Sequence, residues 1–226
     1  MDFNETSTKI ILITVVLFAG LLVTGAVVWS SQPPAPTATL TADIKSVKMD
    51  GDPIIGQASA PVTIAFWSDY QCPICKAFEL NTLPQMLKDY VDTGKVKIAV
   101  MDFAFLGSDS TTAALYGRSV WKLYPEKYLD WRTAMYTAQD EEKDIGFGDA
   151  PSIDKLNATI TGIDAAKVTA DVKANTGAYQ AMLDADRVEV TKAGINGTPS
   201  FVIGMQLIVG NQPYATFKTA IDALLK

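Results

Sequence analysis

Hydrophobic positions along this chain change their period from one region to the next, and each change marks an element. From Ile10 to Val28 the chain is apolar and carries no charge. At about 1.5 Å per residue that run makes roughly 29 Å of helix, close to the ~30 Å hydrocarbon core of a bilayer. The pattern predicts a single membrane anchor over residues 1–29. A cleaved signal peptide is the alternative, although its apolar region is usually shorter and its front basic. Here Asp2 and Glu5 precede Lys9. Residues 30–42 are uncharged and contain Pro33, Pro34 and Pro36 among Thr, Ala and Ser. Such a segment cannot bury a core and reads as a tether reaching up to roughly 40 Å.

The rest, residues 43–226, is one domain's length of chain. Val62 to Trp67 is dense in apolar and β-branched residues and predicts a buried strand. From Pro73 the period becomes helical, with Phe78, Leu80, Leu83, Met86, Leu87, Tyr90 and Val91 on or near one face. Pro84 within that run predicts a kink, and Gly94 ends it. Lys95 to Met101 alternates as a second strand. A helical insert follows over about residues 110–192. Its first face is Ala113, Leu115, Val120, Trp121 and Leu123, and Tyr124-Pro125 starts another. Tyr128, Trp131, Met135 and Tyr136 line that second face at the spacing of an amphipathic core helix, which favours packing over an aromatic binding box. Further helices are expected at Ser152–Thr161, Asp164–Asn175 and Tyr179–Ala193. Strand character returns at Ser200–Ile203 and Gln206–Val209 around a Gly204-Met205 turn, and Phe217–Leu225 closes the chain as a helix. The order predicts an α/β fold with helices inserted at its middle.

Composition changes the picture in two ways. The formal net charge is −6, and no basic cluster suggests nucleic acid as a partner. There are two cysteines and no histidine. Both cysteines fall in Cys72-Pro73-Ile74-Cys75, directly after the first predicted strand. A structural zinc needs four ligands, usually thiolates and imidazoles, so one chain cannot supply them without borrowing carboxylates. No metal and no cofactor beyond the cysteine pair is expected. A purely structural disulfide closing so short a loop stabilises little in the chain-entropy model. At the entrance of a helix the two sulfurs lie one turn apart, with Pro73 at the first helical position, where its missing N–H costs nothing. Unpaired backbone N–H groups and the helix dipole there favour a thiolate at Cys72. The pattern is that of a dithiol–disulfide exchanger whose first sulfur is expected to be exposed.

Asn196-Gly197-Thr198-Pro199 is the second informative segment. Pro199 directly before a strand marks either an ordinary trans turn or a cis bond, since X-Pro is the one common context for cis. Together, C-P-x-C at a strand–helix junction and G-T-P before a late hairpin resemble the thioredoxin fold. Gly51-Asp52-Pro53, Ala60-Pro61-Val62-Thr63 and Ser68-Asp69-Tyr70-Gln71 leading into Cys72 resemble its DsbA-like branch. Trp121, Tyr124, Trp131, Gly197-Thr198-Pro199-Ser200-Phe201 and Phe217 with Ile221-Asp222 match the usual landmarks of that family. The resemblance implies a cis Pro199 facing the disulfide, Cys72 as attacking nucleophile and Cys75 as buried resolving thiol. It also implies reoxidation by a quinone-linked membrane thiol oxidase. Family members often carry an acidic residue on the strand entering the motif. Here that strand reads Ala65-Phe66, which leaves the role vacant or to Asp69 or water. Ile74 replaces the His of the strongest oxidants and cannot donate a hydrogen bond to a thiolate, so a milder oxidant is expected.

These features predict a membrane-anchored, extracytoplasmic monomer that donates its Cys72–Cys75 disulfide to reduced, unfolded proteins. Disulfides persist outside the cytosol, which decides the side of the membrane where a single Lys9 cannot. Pro73, Ile74, Thr198 and Pro199 are expected to form an apolar rim that receives substrate. The same fold run in reverse, as a reductase or isomerase, is the alternative. A binding module with incidental cysteines is a third reading, and Cys72→Ser would leave its function untouched.

Overall fold

A computed structural model describes residues 41–140 and 147–226. The expected anchor and nearly all of the tether lie outside the described residues. Among the described residues no helix is long and apolar enough to cross a membrane.

Among the described residues five strands form one sheet. A two-residue strand that periodicity had not revealed, β1 (Ile54–Ile55), precedes β2 (Val62–Ser68), and β3 is Val96–Asp102. β2 and β3 run parallel from Val62 opposite Val96 to Ser68 opposite Asp102. β4 (Ser200–Ile203) pairs antiparallel with β2, and β5 (Gln206–Val209) pairs antiparallel with β4. The order is β1-β3-β2-β4-β5. Gly204, at φ 59, supplies the positive φ that the two-residue β4–β5 turn requires. β2 is apolar from Ile64 to Trp67 because both its faces are covered there. Ile64 and Phe66 join one core, with Phe201 and Phe217, whereas Ala65 and Trp67 join another, with Val190, Ile195 and Val202.

The helix begun by Pro73, α1, continues to residue 91, with π turns at Phe78–Thr82 and Leu87–Val91 alternating with α segments at Pro73–Ala77 and Leu83–Met86. The predicted kink at Pro84 takes this form. Proline has no N–H and its ring crowds the carbonyl four residues back, so the helix widens before it. Leu83 N–H accordingly reaches Phe78 O, five residues back. The insert contains α2 (Ser108–Leu123), α3 (Tyr128–Ala138), α4 (Ala150–Asn157) and α5 (Ala165–Lys192).

Three helix boundaries correct the sequence reading. The helices expected at Asp164–Asn175 and Tyr179–Ala193 are one continuous α5. Gly177 between them costs only about 1 kcal/mol relative to alanine, which the burial of Val168, Tyr179, Leu183 and Val190 on either side outweighs. α4 is Ala150–Asn157 rather than Ser152–Thr161, its start set by Asp149, which caps Ser152 N at 2.9 Å. The last helix, α6, is Tyr214–Asp222 rather than Phe217–Leu225.

Candidate active site

Cys72 is the N-cap of α1, with extended backbone at φ −86° and ψ 117°. Two contacts hold it there. Its N–H donates to Asp69 O at 3.1 Å, and its Sγ accepts from Cys75 N at 3.4 Å. Both cysteines are free thiols, and Cys75 is fully buried. From far along the chain, β4 brings in the Thr198-Pro199 bond, which is cis. Ser200 pairs with Trp67 at the end of β2, and Gly210 N donates to Pro199 O at 2.8 Å. The loop is thereby fixed with Thr198 O 3.4 Å from Cys72 Sγ, as an acceptor for the thiol. The structure thus decides between the two proline geometries that the sequence left open.

The two sulfurs differ sharply in acidity. A hydrogen bond from the Cys75 thiol, first, draws the Cys72 thiol down to about 6 from the ordinary 9, against the opposing effect of burial. The Thr198 hydroxyl, buried and with no other partner, acts in the same direction, as do the backbone N–H groups of Cys75 and Ile74. Burial and then the neighbouring Cys72 push the Cys75 thiol well above its usual range. An arrangement with one ready thiolate and one obligate thiol suits thiol–disulfide exchange, in which the thiolate is the reacting species.

One expectation for the rim is corrected. Cys72 is only 6% exposed, because the helix start and the cis-proline loop close over it. Of the four expected rim residues, Ile74 is 50% exposed and Pro73 is also open, whereas Thr198 is half-buried and Pro199 is buried. Next to the nearly covered Cys72, the exposed members of the set are Pro73 and Ile74.

Buried charge around the motif was not legible in the sequence. Asp69 accepts from Gln71 N at 2.8 Å, Phe105 N at 2.9 Å and Leu106 N at 3.2 Å. Its carboxylate clasps the loop, and burial pushes its pKa above the ordinary carboxylate value. Glu79, one turn beyond Cys75, is paired with Arg132 at 2.8 Å, and both are fully buried. Arg132 also donates to Tyr70 Oη at 3.2 Å and lies 5.3–5.8 Å from the ring centres of Phe66, Tyr70, Tyr128 and Tyr136. The predicted aromatic face is therefore core, as its spacing implied, wrapped around a guanidinium. Farther off, Arg118 donates to Asp52 at 2.7 Å, Asp102 at 2.7 Å and Asp186 at 2.5 Å. Spacing alone could not show these sets, since their members are separated by tens of residues.

The thioredoxin family profile matches residues 48–223. The disulfide bond formation protein D of Bacillus subtilis (strain 168) is 30% identical over 176 residues, covering 78% of this chain and 78% of that protein. Among solved structures, oxidised BdbD from Bacillus subtilis superposes with a TM-score of 0.74 at 25% identity, covering 84% of this chain and 99% of that one. The thiol-disulfide exchange protein alpha-DsbA2 from Wolbachia pipientis gives 0.67 at 29% identity, covering 76% and 87%. Cys72 at a helix entrance, a buried Cys75, a cis-proline loop against the first sulfur and this set of relatives lead to one conclusion: the chain belongs to the thioredoxin family, in its DsbA-like disulfide oxidoreductase branch.

Proposed function

We propose that this chain forms disulfide bonds in proteins outside the cytosol, acting from a membrane anchor at its N-terminus. It is a thiol:disulfide oxidoreductase. The observation that carries this reading is the meeting of Cys72, at the start of α1, with the cis Thr198-Pro199 loop, whose Thr198 carbonyl lies 3.4 Å from its sulfur. The acidity of Cys72, drawn down to about 6, supports it. At neutral pH about nine-tenths of such a thiol is ionised, which stabilises the dithiol form relative to a protein with an ordinary thiol, the shift a disulfide donor needs.

The cycle begins when a substrate thiolate attacks Cys72 Sγ of the oxidised protein. The Cys72–Cys75 bond breaks, and Cys75 takes the electron pair and a proton. A mixed disulfide joins Cys72 to the substrate. A second substrate thiolate then attacks the substrate sulfur of that bond, and Cys72 leaves as a thiolate, already stable at neutral pH. Two electrons have passed from substrate to protein. Pro73 and Ile74 border the entry, and Thr198 and Pro199 close its far side. A quinone-linked membrane thiol oxidase restores the disulfide, and the protein works as a monomer.

The test is the redox state of the chain in growing cells, read by a mass tag that reacts only with free thiols. The proposal expects mostly disulfide in the wild type and loss of substrate oxidation in Cys72→Ser. A chain held mostly as dithiol would overturn it in favour of a reductase or isomerase.

A further inference from the structure

Among the described residues Met205 is the large apolar side chain most open to water, at 60%. It stands in the two-residue turn between β4 and β5, and Leu224, 46% exposed, packs against the same turn. A Cβ on Gly204 would come 3.0 Å from Leu224 Cδ2, so turn and C-terminal segment touch. The start of the described chain joins them, because Ile44 N donates to Gly204 O at 2.8 Å. Between these parts and the beginning of β2 runs a groove of about 620 Å³, whose apolar lining includes Ile44, Val47, Met49, Val62, Met205 and Leu224. Its wall is built rather than slack: the Asp43 carboxylate accepts Lys45 N at 2.9 Å and caps the 3-10 turn Ile44–Ser46. Adjoining apolar side chains held in water forgo their burial, which marks a surface that meets something else.

Where the chain enters the fold points to what covers the groove. The described residues begin at Thr41, three before Ile44, so the preceding chain leaves from the rim of the groove. That chain holds the uncharged apolar run from Ile10 to Val28, long enough for a bilayer at about 1.5 Å per residue. Residues 30–42 reach at most roughly 40 Å, which keeps a bilayer holding that run within the same distance of the groove. A contact between parts already joined needs little affinity of its own, since the tether supplies a high local concentration. Charge agrees. Lys45 on the lining and Lys226, two residues past Leu224, are exposed and suit lipid phosphates, while Asp43, the single acid of the lining, is turned to a backbone N–H. β2 then fixes the place of the motif. Val62 lines the groove, and Ser68 ends the strand six steps of about 3.3 Å away, so the cysteines follow from the opposite end of the sheet, about 20 Å off.

We infer that this groove is a membrane-contact surface: the headgroup region of a lipid bilayer takes up Met205 and Leu224 and holds the chain with Cys72 turned away from the lipid. The inference rests on the membrane-anchored reading and adds an orientation to it. The reactive sulfur then faces polypeptides on the aqueous side instead of the bilayer.

The test uses the full-length chain in vesicles of phosphatidylglycerol and phosphatidylcholine. A benzophenone is placed by Met205→benzoylphenylalanine or, at the motif end, by Ile74→benzoylphenylalanine. After irradiation, mass spectrometry is expected to find lipid adducts about tenfold more often at position 205 than at position 74. Leu224→Ser, made beside the 205 probe, should lower that lipid yield about threefold. The position-205 chain should keep the wild-type rate of thiol exchange, because the motif lies at the other end of the sheet. Equal lipid yields at the two positions overturn the inference, and so do adducts at 205 with residues 30–42 or with a second copy in place of lipid. A chain that does not stay with the vesicles overturns the membrane-anchored reading itself, and the contact with it.

Discussion

Cys72 ionises readily because the Cys75 thiol, the Thr198 hydroxyl and the backbone N–H groups of Cys75 and Ile74 all favour its thiolate. The sequence legibly gave the helix entrance and the proline that follows, and from them a depressed pKa. It could not give the order of causes, in which the Cys75 thiol comes first and the Thr198 hydroxyl adds to it from 126 residues away. The rate of alkylation of the reduced protein against pH should show a midpoint near 6, and a midpoint near the ordinary 9 would defeat this account. Cys75→Ala removes the leading cause and should move the midpoint upward. The depressed value also fixes a sign. Its contribution to the stability of the dithiol form is complete above about pH 9 and is lost as pH falls through about 6. The stability gap between dithiol and disulfide forms should therefore shift toward the disulfide on acidification, measurable by denaturant titration of each form.

At the level of elements, α1 carries the motif and at the same time holds half of a buried ion pair. Glu79 lies in its first π turn, and Arg132 comes from the middle of α3. Polar residues in a helix pattern are ordinarily assigned to the solvated face, so neither was recognisable as core. What periodicity did disclose was the buried face Tyr128, Trp131, Met135 and Tyr136, of which the Tyr128 and Tyr136 rings lie against the guanidinium. A buried pair adds little net stability, but a single partner left behind is costly. Glu79→Ala should destabilise the chain by about 3–5 kcal/mol in chemical denaturation. The double change Glu79→Met with Arg132→Met should recover most of that loss. Equal destabilisation by the single and double variants would show that volume, not uncompensated charge, sets the cost.

Over the whole molecule the Arg118 cluster ties four parts of the chain together. Asp52 precedes β1, Asp102 ends β3, Arg118 comes from α2 and Asp186 from α5. Burial, ahead of the opposing pull of Arg118, raises Asp52 to about 6 and Asp186 to about 9. The folded chain therefore keeps protons that the unfolded chain releases near pH 4. The resulting stabilisation is complete at acid pH and declines as pH climbs through about 6 and on toward 9. Each retained proton contributes at most about 1.4 kcal/mol per pH unit to that decline. In the disulfide form, where Cys72 does not titrate, Asp186→Asn should flatten the upper part of the curve between about 6 and 9. A slope unchanged by this substitution would sink the assignment.

Local periodicity and the Cys-Pro-Ile-Cys spacing by themselves determined β2 to β5, the helical insert and the reactive pair, because strand alternation, helix faces and a helix-entrance thiol are properties of neighbours in sequence. The short β1, the unbroken α5, the near closure over Cys72 and the ion pairs at Arg118 and Arg132 depend on residues far apart along the chain. So does the juxtaposition of Asp69, Phe105 and Cys72. Packing alone decides which distant groups share a low-dielectric space, and it is that sharing which sets both the acidity of one sulfur and the burial of the other.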